Sequence, residues 1–329
     1  MFKSQWSQFF PPKPTFSPSE IPSQSGKVFI VTGGASGIGL SLVTFLYHKK
    51  ARVYIAGRSE ENVTKAIQQI QSSSSPQSTT TGSLHFLHLD LSDLSKIKSS
   101  VQTFLSKESQ LHVLFNNAGV SQPPLGSLSK QDHDLQLATN CYGPFLFTKL
   151  LLPLLESTAS VSPPGSVRVI WSASQVIELS APQGGLLISE FETPTKDITR
   201  NYTNSKTGNY FLSAELSRLQ KEKEKPVVSV SLNPGAASTN LFRHTPMLKY
   251  LAWPLFHPVE KCATTVLFAG VDDKEIGVEK NGCYVVPWGR VAEFVRKDLV
   301  DGGKTVEEGG TGRGKEFWEF CQGIVREYE

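Results

Sequence analysis

Short apolar runs alternate with longer amphipathic stretches from Lys27 to Pro287. Seven runs are almost continuously apolar, as expected for strands buried on both faces of a parallel sheet. They span Lys27–Thr32, Ala51–Gly57, Leu84–Asp90, Leu111–Gly119, Ser166–Ser174, Pro226–Gly235 and Gly282–Pro287. The stretches between them are long enough for crossover helices. The pattern predicts a single doubly wound α/β domain, with a seven-stranded parallel sheet flanked by helices.

Some segments fall outside this alternation. Residues 71–82 are a polar low-complexity loop, and residues 175–200 are an insert between the fifth strand and the next helix. We predict a core domain over residues 27–289 and an N-terminal extension over 1–26. A C-terminal tail over 290–329 is expected to pack on the core.

Composition and charge narrow the function classes. The formal net charge is +3, with no basic stripe along the chain, so nucleic-acid binding is not expected. The four cysteines stand alone, without a C-x-x-C pair or a histidine at ligand spacing. This pattern argues against a disulfide scaffold and predicts no metal site. Reduced thiols are typical of a cytoplasmic protein, which is the location we expect.

No stretch reaches the roughly 20 apolar residues of a membrane-spanning helix, and the amino terminus lacks the apolar core of a secretory signal. The amino terminus nevertheless carries the aromatic residues Phe2, Trp6, Phe9, Phe10 and Phe16. They either pack against the body of the protein or contact a membrane surface. No transmembrane segment is expected, while peripheral membrane contact stays open.

The first predicted strand runs into a glycine-rich turn, TGGASGIG, over residues 32–39. Glycines in such a turn let the backbone approach a pyrophosphate, whose charge then lies on free amides at a helix N-terminus. A purely structural turn would use the same residues, but the strand before it and the amphipathic stretch after it favour a phosphate site. The spacing, Gly33-x-x-x-Gly37-x-Gly39, is one residue longer than the G-x-G-x-x-G pattern.

This spacing is similar to that of the short-chain dehydrogenase/reductase family, whose further landmarks follow in order. They are Asp90, Asn116–Gly119, Asn140, Ser174, Tyr202-x-x-x-Lys206 and Asn233–Gly235. The resemblance covers residues 27–287, and the insert and tail resemble the retinol-dehydrogenase-like branch, particularly its fungal members. It implies a Rossmann-type fold, a nicotinamide cofactor and reversible reduction of a ketone or aldehyde. It also implies a role in secondary metabolism and frequent homo-oligomerisation.

The resemblance further implies a set of residues that contact the cofactor. These residues are Gly33, Ser36, Gly37, Ile38, Gly39, Arg58, Asp90, Asn117, Ala118, Gly119, Tyr202, Lys206, Pro234, Gly235 and Thr239. Within this set, Asp90 is implied to meet the adenine and Asn117 the adenosine-side ribose. Thr239 is implied to meet the nicotinamide carboxamide.

The residues after the second strand bear on the choice of cofactor. An acidic residue at the strand end is typical of sites that prefer NAD, because it accepts hydrogen bonds from the ribose hydroxyls. Gly57 holds that position here, and Arg58 follows. A guanidinium can pair with a 2′-phosphate through a bidentate fork, so NADP is the expected cofactor. Arg58 could instead be a solvent-facing loop residue, and Glu60 and Glu61 lie close enough to blur the preference.

Tyr202 and Lys206 are one helical turn apart, so their side chains project from one face. Carbonyl reduction needs a proton donor at the oxygen, and a phenol of pKa about 10 is a weak acid at neutral pH. A neighbouring ammonium lowers that pKa, which lets Tyr202 act as acid in reduction and as base in oxidation. The resemblance implies that Lys206 also holds the nicotinamide ribose.

Two further residues complete the predicted catalytic set. The family's usual pair of serines after the fifth strand corresponds to Ala173 and Ser174, so the resemblance implies that Ser174 hydrogen-bonds the substrate oxygen, with Ser172 as the competing candidate. Asn140 matches the helix asparagine that the family uses to hold a water in the proton relay to Lys206. Its alternative role is an N-cap or a helix kink next to Gly143.

After Gly235, residues 236–258 are strongly apolar, and the family places its substrate loop and lid there. An apolar lid suits a lipophilic small-molecule substrate, although the same residues could cover the core or form a dimer or membrane-facing surface. The sequence therefore predicts an NADP-dependent oxidoreductase. Two alternatives stay open: a non-redox dehydration or isomerisation at the same site, and a nucleotide-binding regulatory protein without turnover.

Overall fold

Residues 2–73, 81–245, 247, 250 and 253–329 are described by a computed structural model. Residues 74–80 of the predicted polar loop lie outside the described residues, as do 246, 248, 249, 251 and 252 of the predicted substrate loop. The strands are β1 (Val28–Thr32), β2 (Arg52–Gly57), β3 (Ser83–His88), β4 (Val113–Asn116), β5 (Arg168–Ser172), β6 (Val228–Leu232), β7 (Tyr284–Val286) and β8 (Arg290–Val291). They form an 8-stranded sheet in the order β3-β2-β1-β4-β5-β6-β7-β8.

Helices connect the strands and cover both faces of the sheet. They are α1 (Phe2–Phe9), α2 (Gly37–His48), α3 (Glu60–Ser72), α4 (Leu94–Leu105), α5 (Leu135–Leu137), α6 (Gly143–Val161), α7 (Val176–Leu179), α8 (Ser189–Glu192), α9 (Ile198–Gln220), α10 (Val259–Val271), α11 (Lys297–Gly303) and α12 (Arg313–Val325). A π-helical turn over Ala138–Tyr142 joins α5 to α6. Among the helices of the described residues, none combines the length and the hydrophobicity that crossing a membrane would require.

The apolar strands are explained by a core on each side of the sheet. Successive residues of β1 alternate between the two sides: Val28 and Ile30 pack with α4, α6 and α9, whereas Phe29 and Val31 pack with α2 and α10. Because both faces are covered, each strand position is apolar rather than every second one.

The predicted fold class is confirmed. The seven predicted strands are all present and mutually parallel, and each is shorter than its apolar run because the run continues into the adjoining turn. An eighth strand, β8, is not among the predicted strands and pairs antiparallel with β7 at the sheet edge. Only two residues long, β8 is too short to produce a hydrophobic pattern.

One buried arginine joins β5 to the segment that follows α10. The Arg168 side chain is 2% exposed, and its guanidinium donates to four backbone carbonyls. These carbonyls belong to Gly165, Ala269, Asp272 and Ile276, at 2.6–3.0 Å. Burial lowers the pKa of Arg168 to about 10, so the residue keeps its charge at neutral pH.

Candidate active site

The turn after β1 comes very close to the start of α2. Gly33 has φ +67° and Gly37 has φ +53°, a left-handed conformation that glycine adopts without strain. A β-carbon added at Gly39 would collide with the Gly33 carbonyl oxygen. Ser36 precedes α2 without making a side-chain capping hydrogen bond, which leaves the first amides of the helix available to an anion. The residues present therefore fit a dinucleotide pyrophosphate.

A single hydroxyl joins the ends of β1 and β4 beside this turn. Thr32 Oγ1 donates to the Phe115 carbonyl and accepts from the N–H groups of Asn117 and Ala118, at 2.9–3.1 Å. Asn117 Nδ2 donates in return to the Thr32 carbonyl at 2.9 Å. The Asn117 amide thus holds the turn against β4. Thr32 is not among the residues predicted for the site, although its place at a strand end before the glycines is a usable signal.

Three other predicted cofactor residues lie in loops around the turn. Arg58 is exposed directly after β2. Asp90 lies two residues beyond β3, and its Oδ1 accepts from the N–H and the hydroxyl of Ser92 at 2.9 and 2.6 Å. A β-carbon added at Gly37 would lie 3.1 Å from Thr239 Cγ2, which places Thr239 against the glycine turn.

The turn after β6 packs close to the start of α2. Asn233 Oδ1 accepts from the Gly235 N–H at 3.0 Å, and Gly235 has φ +94°. A β-carbon added at Gly235 would lie 3.0 Å from the ring of Trp288, and Ile38 of α2 packs against the same cluster. The turn that contains Pro234 therefore adjoins the predicted cofactor residues.

Tyr202 lies near the start of α9 and faces the segment after β5. Its side chain adjoins that of Ser174. Burial raises the pKa of Tyr202 to about 12, and Ser174 opposes that rise. The pKa is thus raised, whereas the sequence predicts that a neighbouring ammonium lowers it. Of the two serines that the sequence offers, Ser174 is the one that influences the pKa of Tyr202.

Lys206 is buried beside Tyr202, one helical turn further along α9. Its ammonium donates to the Ser172 carbonyl at 2.9 Å and lies 5.7 Å from the centre of the Tyr202 ring. Burial lowers the pKa of Lys206 to about 8. The structure therefore brings Tyr202, Lys206 and Ser174 together at the carboxyl end of β5, where the parallel sheet of this fold class binds its ligands.

Asn140 is fully buried in the π-helical turn between α5 and α6. Its Oδ1 accepts from the Val120 N–H at 2.8 Å, and its Nδ2 donates to the Val120 carbonyl and to Ser205 Oγ, each at 2.9 Å. A β-carbon added at Gly119 would lie 3.1 Å from Asn140 Oδ1 and 3.5 Å from Lys206 Nζ. Asn140 and Lys206 thus face each other across Gly119. A π-helical turn is a distortion that recurs at functional sites.

Two side chains that the sequence analysis does not single out support this group. Asn209 Nδ2 donates to the Ser172 carbonyl at 3.0 Å, so this oxygen has two donors. The Tyr284 hydroxyl donates to the Ser174 carbonyl at 3.1 Å and fixes the backbone there. The spacing of three residues between Lys206 and Asn209 is a signal for Asn209, because it places both on one helix face. Tyr284 comes from β7, and no local pattern points to it.

A carboxylate of the insert is bonded to the start of α9. Glu190 of α8 accepts from the Arg200 guanidinium at 2.8 Å and from Asn204 Nδ2 at 2.6 Å, which ties the insert to α9.

Within the described ranges, no group of three or more His, Cys, Asp or Glu side chains is placed to hold a metal ion. In the predicted substrate loop, Met247 and Tyr250 are among the most exposed apolar side chains.

Comparison with known proteins bears on the family. A family model described as short chain dehydrogenase matches residues 27–176. The solved structure of an uncharacterized protein from Mycobacterium paratuberculosis is 22% identical with a TM-score of 0.68, covering 94% of this chain and 97% of that one. The Pseudomonas aeruginosa RhlG structure, an active-site complex with NADP, is 23% identical with a TM-score of 0.58, covering 74% and 89%. These two structures show the same fold.

Two fungal proteins are similar over nearly the whole chain. A short-chain dehydrogenase/reductase of Pestalotiopsis fici is 40% identical over 321 residues, which cover 96% of each chain. A short-chain dehydrogenase/reductase of Phomopsis amygdali is 43% identical over 331 aligned positions, covering 99% of this chain and 97% of the relative. This protein therefore belongs to the short-chain dehydrogenase/reductase family.

Proposed function

We propose that the protein is an NADP-dependent oxidoreductase that reversibly reduces a ketone or aldehyde group of a lipophilic small molecule. The observation that carries the proposal is the grouping of Tyr202, Ser174 and Lys206 at the carboxyl end of β5. A protein that only binds a nucleotide has no chemical need for the acid–base pair of Tyr202 and Lys206 together with the Ser174 hydroxyl beside them. The family membership agrees with this assignment.

In the proposed reaction, Tyr202 donates its phenolic proton to the carbonyl oxygen of the substrate. Ser174 hydrogen-bonds the same oxygen and orients it toward Tyr202. When bound, NADPH would supply the hydride that adds to the carbonyl carbon. One hydride on the carbon and one proton on the oxygen convert the carbonyl group to an alcohol. In the reverse direction the phenolate takes the proton from the alcohol.

Lys206 and Asn140 support the proton transfer. The Lys206 ammonium stabilises the phenolate left after proton donation, and its low pKa lets it pass a proton on near neutral pH. Asn140 faces Lys206 across Gly119 and holds the backbone of Val120, so it fixes the wall of the proton path. We propose that a water between Asn140 and Lys206 completes the relay to solvent.

The cofactor preference and the substrate class rest on separate features. Arg58 is exposed directly after β2, where a guanidinium can pair with a 2′-phosphate, which supports NADP. Glu61 forms an ion pair with Lys65. This pair reduces the repulsion that Glu61 would exert on the phosphate. The apolar composition of residues 236–258 supports a lipophilic substrate, in keeping with a cytoplasmic enzyme of secondary metabolism.

The test follows the absorbance of NADPH during incubation with a panel of apolar ketones and aldehydes of increasing size. Consumption of NADPH with formation of the alcohol supports the proposal. A protein that binds NADPH and consumes none with any member, or that dehydrates or isomerises a substrate without consuming NADPH, contradicts it. The product is identified by mass, which separates reduction from a redox-neutral step.

A further inference from the structure

The amino-terminal arm, defined here as residues 2–10, lies against the carboxyl ends of β5, β6 and β7. Gln175, three residues beyond the end of β5, donates from its side chain to the Gln5 carbonyl at 3.1 Å. Arg290, at the start of β8, donates to the Ser7 carbonyl at 3.1 Å. The arm is therefore bonded to the segments that follow β5 and β7, whereas the glycine turn follows β1.

Gln8 is the buried centre of this arm. Its side chain is 3% exposed, and both atoms of its amide are used. Nε2 donates to the Glu178 carboxyl group, and Oε1 accepts from Asn233 Nδ2 at 3.0 Å. Burial raises the pKa of Glu178, although the bond from Gln8 opposes that rise. One amide thus links α7 to the turn after β6.

The two residues that Gln8 holds belong to the loops that shape the proposed site. Glu178 lies in α7, four residues after Ser174. Asn233 accepts from the Gly235 N–H and so fixes the turn that leads into the substrate loop. Gln8 therefore bridges the segment that follows Ser174 and the turn that leads into the substrate loop.

The base of the substrate loop is also bonded to the arm. The N–H of His257 donates to the Ala236 carbonyl at 2.8 Å, so the two ends of the loop are closed on each other. The His257 ring nitrogen Nε2 is hydrogen-bonded to the Phe9 carbonyl at 3.0 Å. The His257 ring also packs edge-on against Trp288, with centres 4.7 Å apart. The arm is therefore attached to the point from which the loop leaves the core.

We propose that the amino-terminal arm forms one wall of the substrate pocket, and that Gln8 is the positioning residue that joins this wall to the loops after β5 and β6. The inference rests on the proposed carbonyl reduction, and it assigns to the arm the selection of which lipophilic carbonyl compounds bind. A wall held by a buried amide sets the width of the pocket, because loops without that bridge move independently. Compact ketones gain affinity from the closed wall, and bulky ketones are excluded by it.

The test compares Gln8→Ala with Gln5→Ala in the full-length protein. Gln5 lies on the same helix and contacts the insert through its backbone carbonyl, so Gln5→Ala keeps that contact. For Gln8→Ala we expect about a tenfold higher KM for compact ketones, a smaller penalty for bulky ones, and an unchanged Kd for NADPH. Amide hydrogen exchange over residues 174–179 and 233–236 should be about tenfold faster. Gln5→Ala should match the wild type in each measurement.

A second pair of variants tests the bridge from the other side. Glu178→Gln keeps a carbonyl oxygen that can accept from Gln8, and it should behave as the wild type. Glu178→Leu removes the acceptor and should reproduce the Gln8→Ala changes in KM and exchange. A merely structural role would lower stability without changing the preference between compact and bulky ketones.

The outcomes separate this inference from the proposed function. If amide hydrogen exchange over residues 174–179 and 233–236 is equally fast in Gln8→Ala and Gln5→Ala, the inference is wrong, whatever the activity. If the wild type reduces ketones and Gln8→Ala keeps its size preference, the inference is also wrong. If the wild type consumes no NADPH while Gln8→Ala alone speeds exchange at both loops, the proposed function fails and the bridge by Gln8 stands.

Discussion

Lys206 and Asn209 donate hydrogen bonds to the same oxygen, the backbone carbonyl of Ser172, at 2.9 and 3.0 Å. Because the two residues share this acceptor, the effect of Lys206 on turnover can be measured apart from its effect on stability. If Lys206 is removed, Asn209 still satisfies the carbonyl, so no buried acceptor is left without a donor.

The first prediction concerns Lys206→Met. We expect turnover to fall by at least about a hundredfold, because the phenolate of Tyr202 loses its neighbouring cation. The melting temperature should stay equal or rise, since the substitution removes an ammonium whose burial is unfavourable. Thermal unfolding and initial-rate kinetics measure the two effects.

The matched control is the double variant Lys206→Met with Asn209→Leu, which removes both donors. It should be less stable than the sum of the single variants by about 1–3 kcal/mol, because the Ser172 carbonyl is then buried without a partner. Additive effects of the two substitutions would show that the shared carbonyl does not matter.

A second prediction is the pH dependence of stability. Burial lowers the pKa of Lys206 from its ordinary value of 10.5 to about 8. Between these two values the unfolded chain binds more protons at this residue than the folded protein does. The contribution of Lys206 to stability therefore rises with pH from about 8 to 10.5.

The measurement is the difference in free energy of unfolding between the wild type and Lys206→Met, taken by urea denaturation at several pH values. Groups unaffected by the substitution cancel in this difference. The free energy of unfolding of the wild type should rise relative to that of Lys206→Met between pH 8 and pH 10.5. A difference that is flat or falls with pH would mean that Lys206 is not desolvated in the folded protein.

A third prediction addresses the cofactor. Replacing Arg58 by Asp should raise the KM for NADPH by about tenfold or more and lower the KM for NADH, because a carboxylate repels the 2′-phosphate and accepts from ribose hydroxyls. Lys96→Asp, the same kind of charge reversal at an exposed position on α4, is the control and should change the ratio little. Unchanged selectivity in Arg58→Asp would remove the basis for assigning NADP.

A fourth prediction concerns stability alone. Arg168→Met leaves the carbonyls of Ala269, Asp272 and Ile276 without their guanidinium donor, and should cost about 3 kcal/mol or more. Arg52→Ala is the control, because Arg52 is exposed and its pair with Glu108 should contribute less than about 1 kcal/mol. Equal losses in the two variants, measured by urea denaturation, would contradict this account.

The sequence predicts those parts of the fold and the site that depend on residues close together in the chain. The strands are near-continuous apolar runs, the glycine turn follows β1, and the spacing of Tyr202 and Lys206 puts them on one face of α9. Each of these depends on neighbours within about one or two helical turns.

The remaining features depend on contacts between residues far apart in the chain. Gln8 meets Glu178 across 170 positions and Asn233 across 225. Tyr284 reaches Ser174 across 110 positions. No periodic pattern in the sequence indicates such pairs. The amino terminus is therefore predicted only as an extension, without its contacts to the loops after β5 and β6. Likewise, the π-helical turn that aims Asn140 at Val120 has no signature of its own in the residues 138–142.

The central claim is that Tyr202 supplies the proton for carbonyl reduction. The most direct test is NADPH consumption by Tyr202→Phe, with Tyr328→Phe in the C-terminal tail as the control. At saturating NADPH, Tyr202→Phe should bind the cofactor with unchanged Kd and lose at least about 99% of its turnover, whereas Tyr328→Phe keeps wild-type activity. A Tyr202→Phe protein that retains tens of per cent of the wild-type rate would contradict the account.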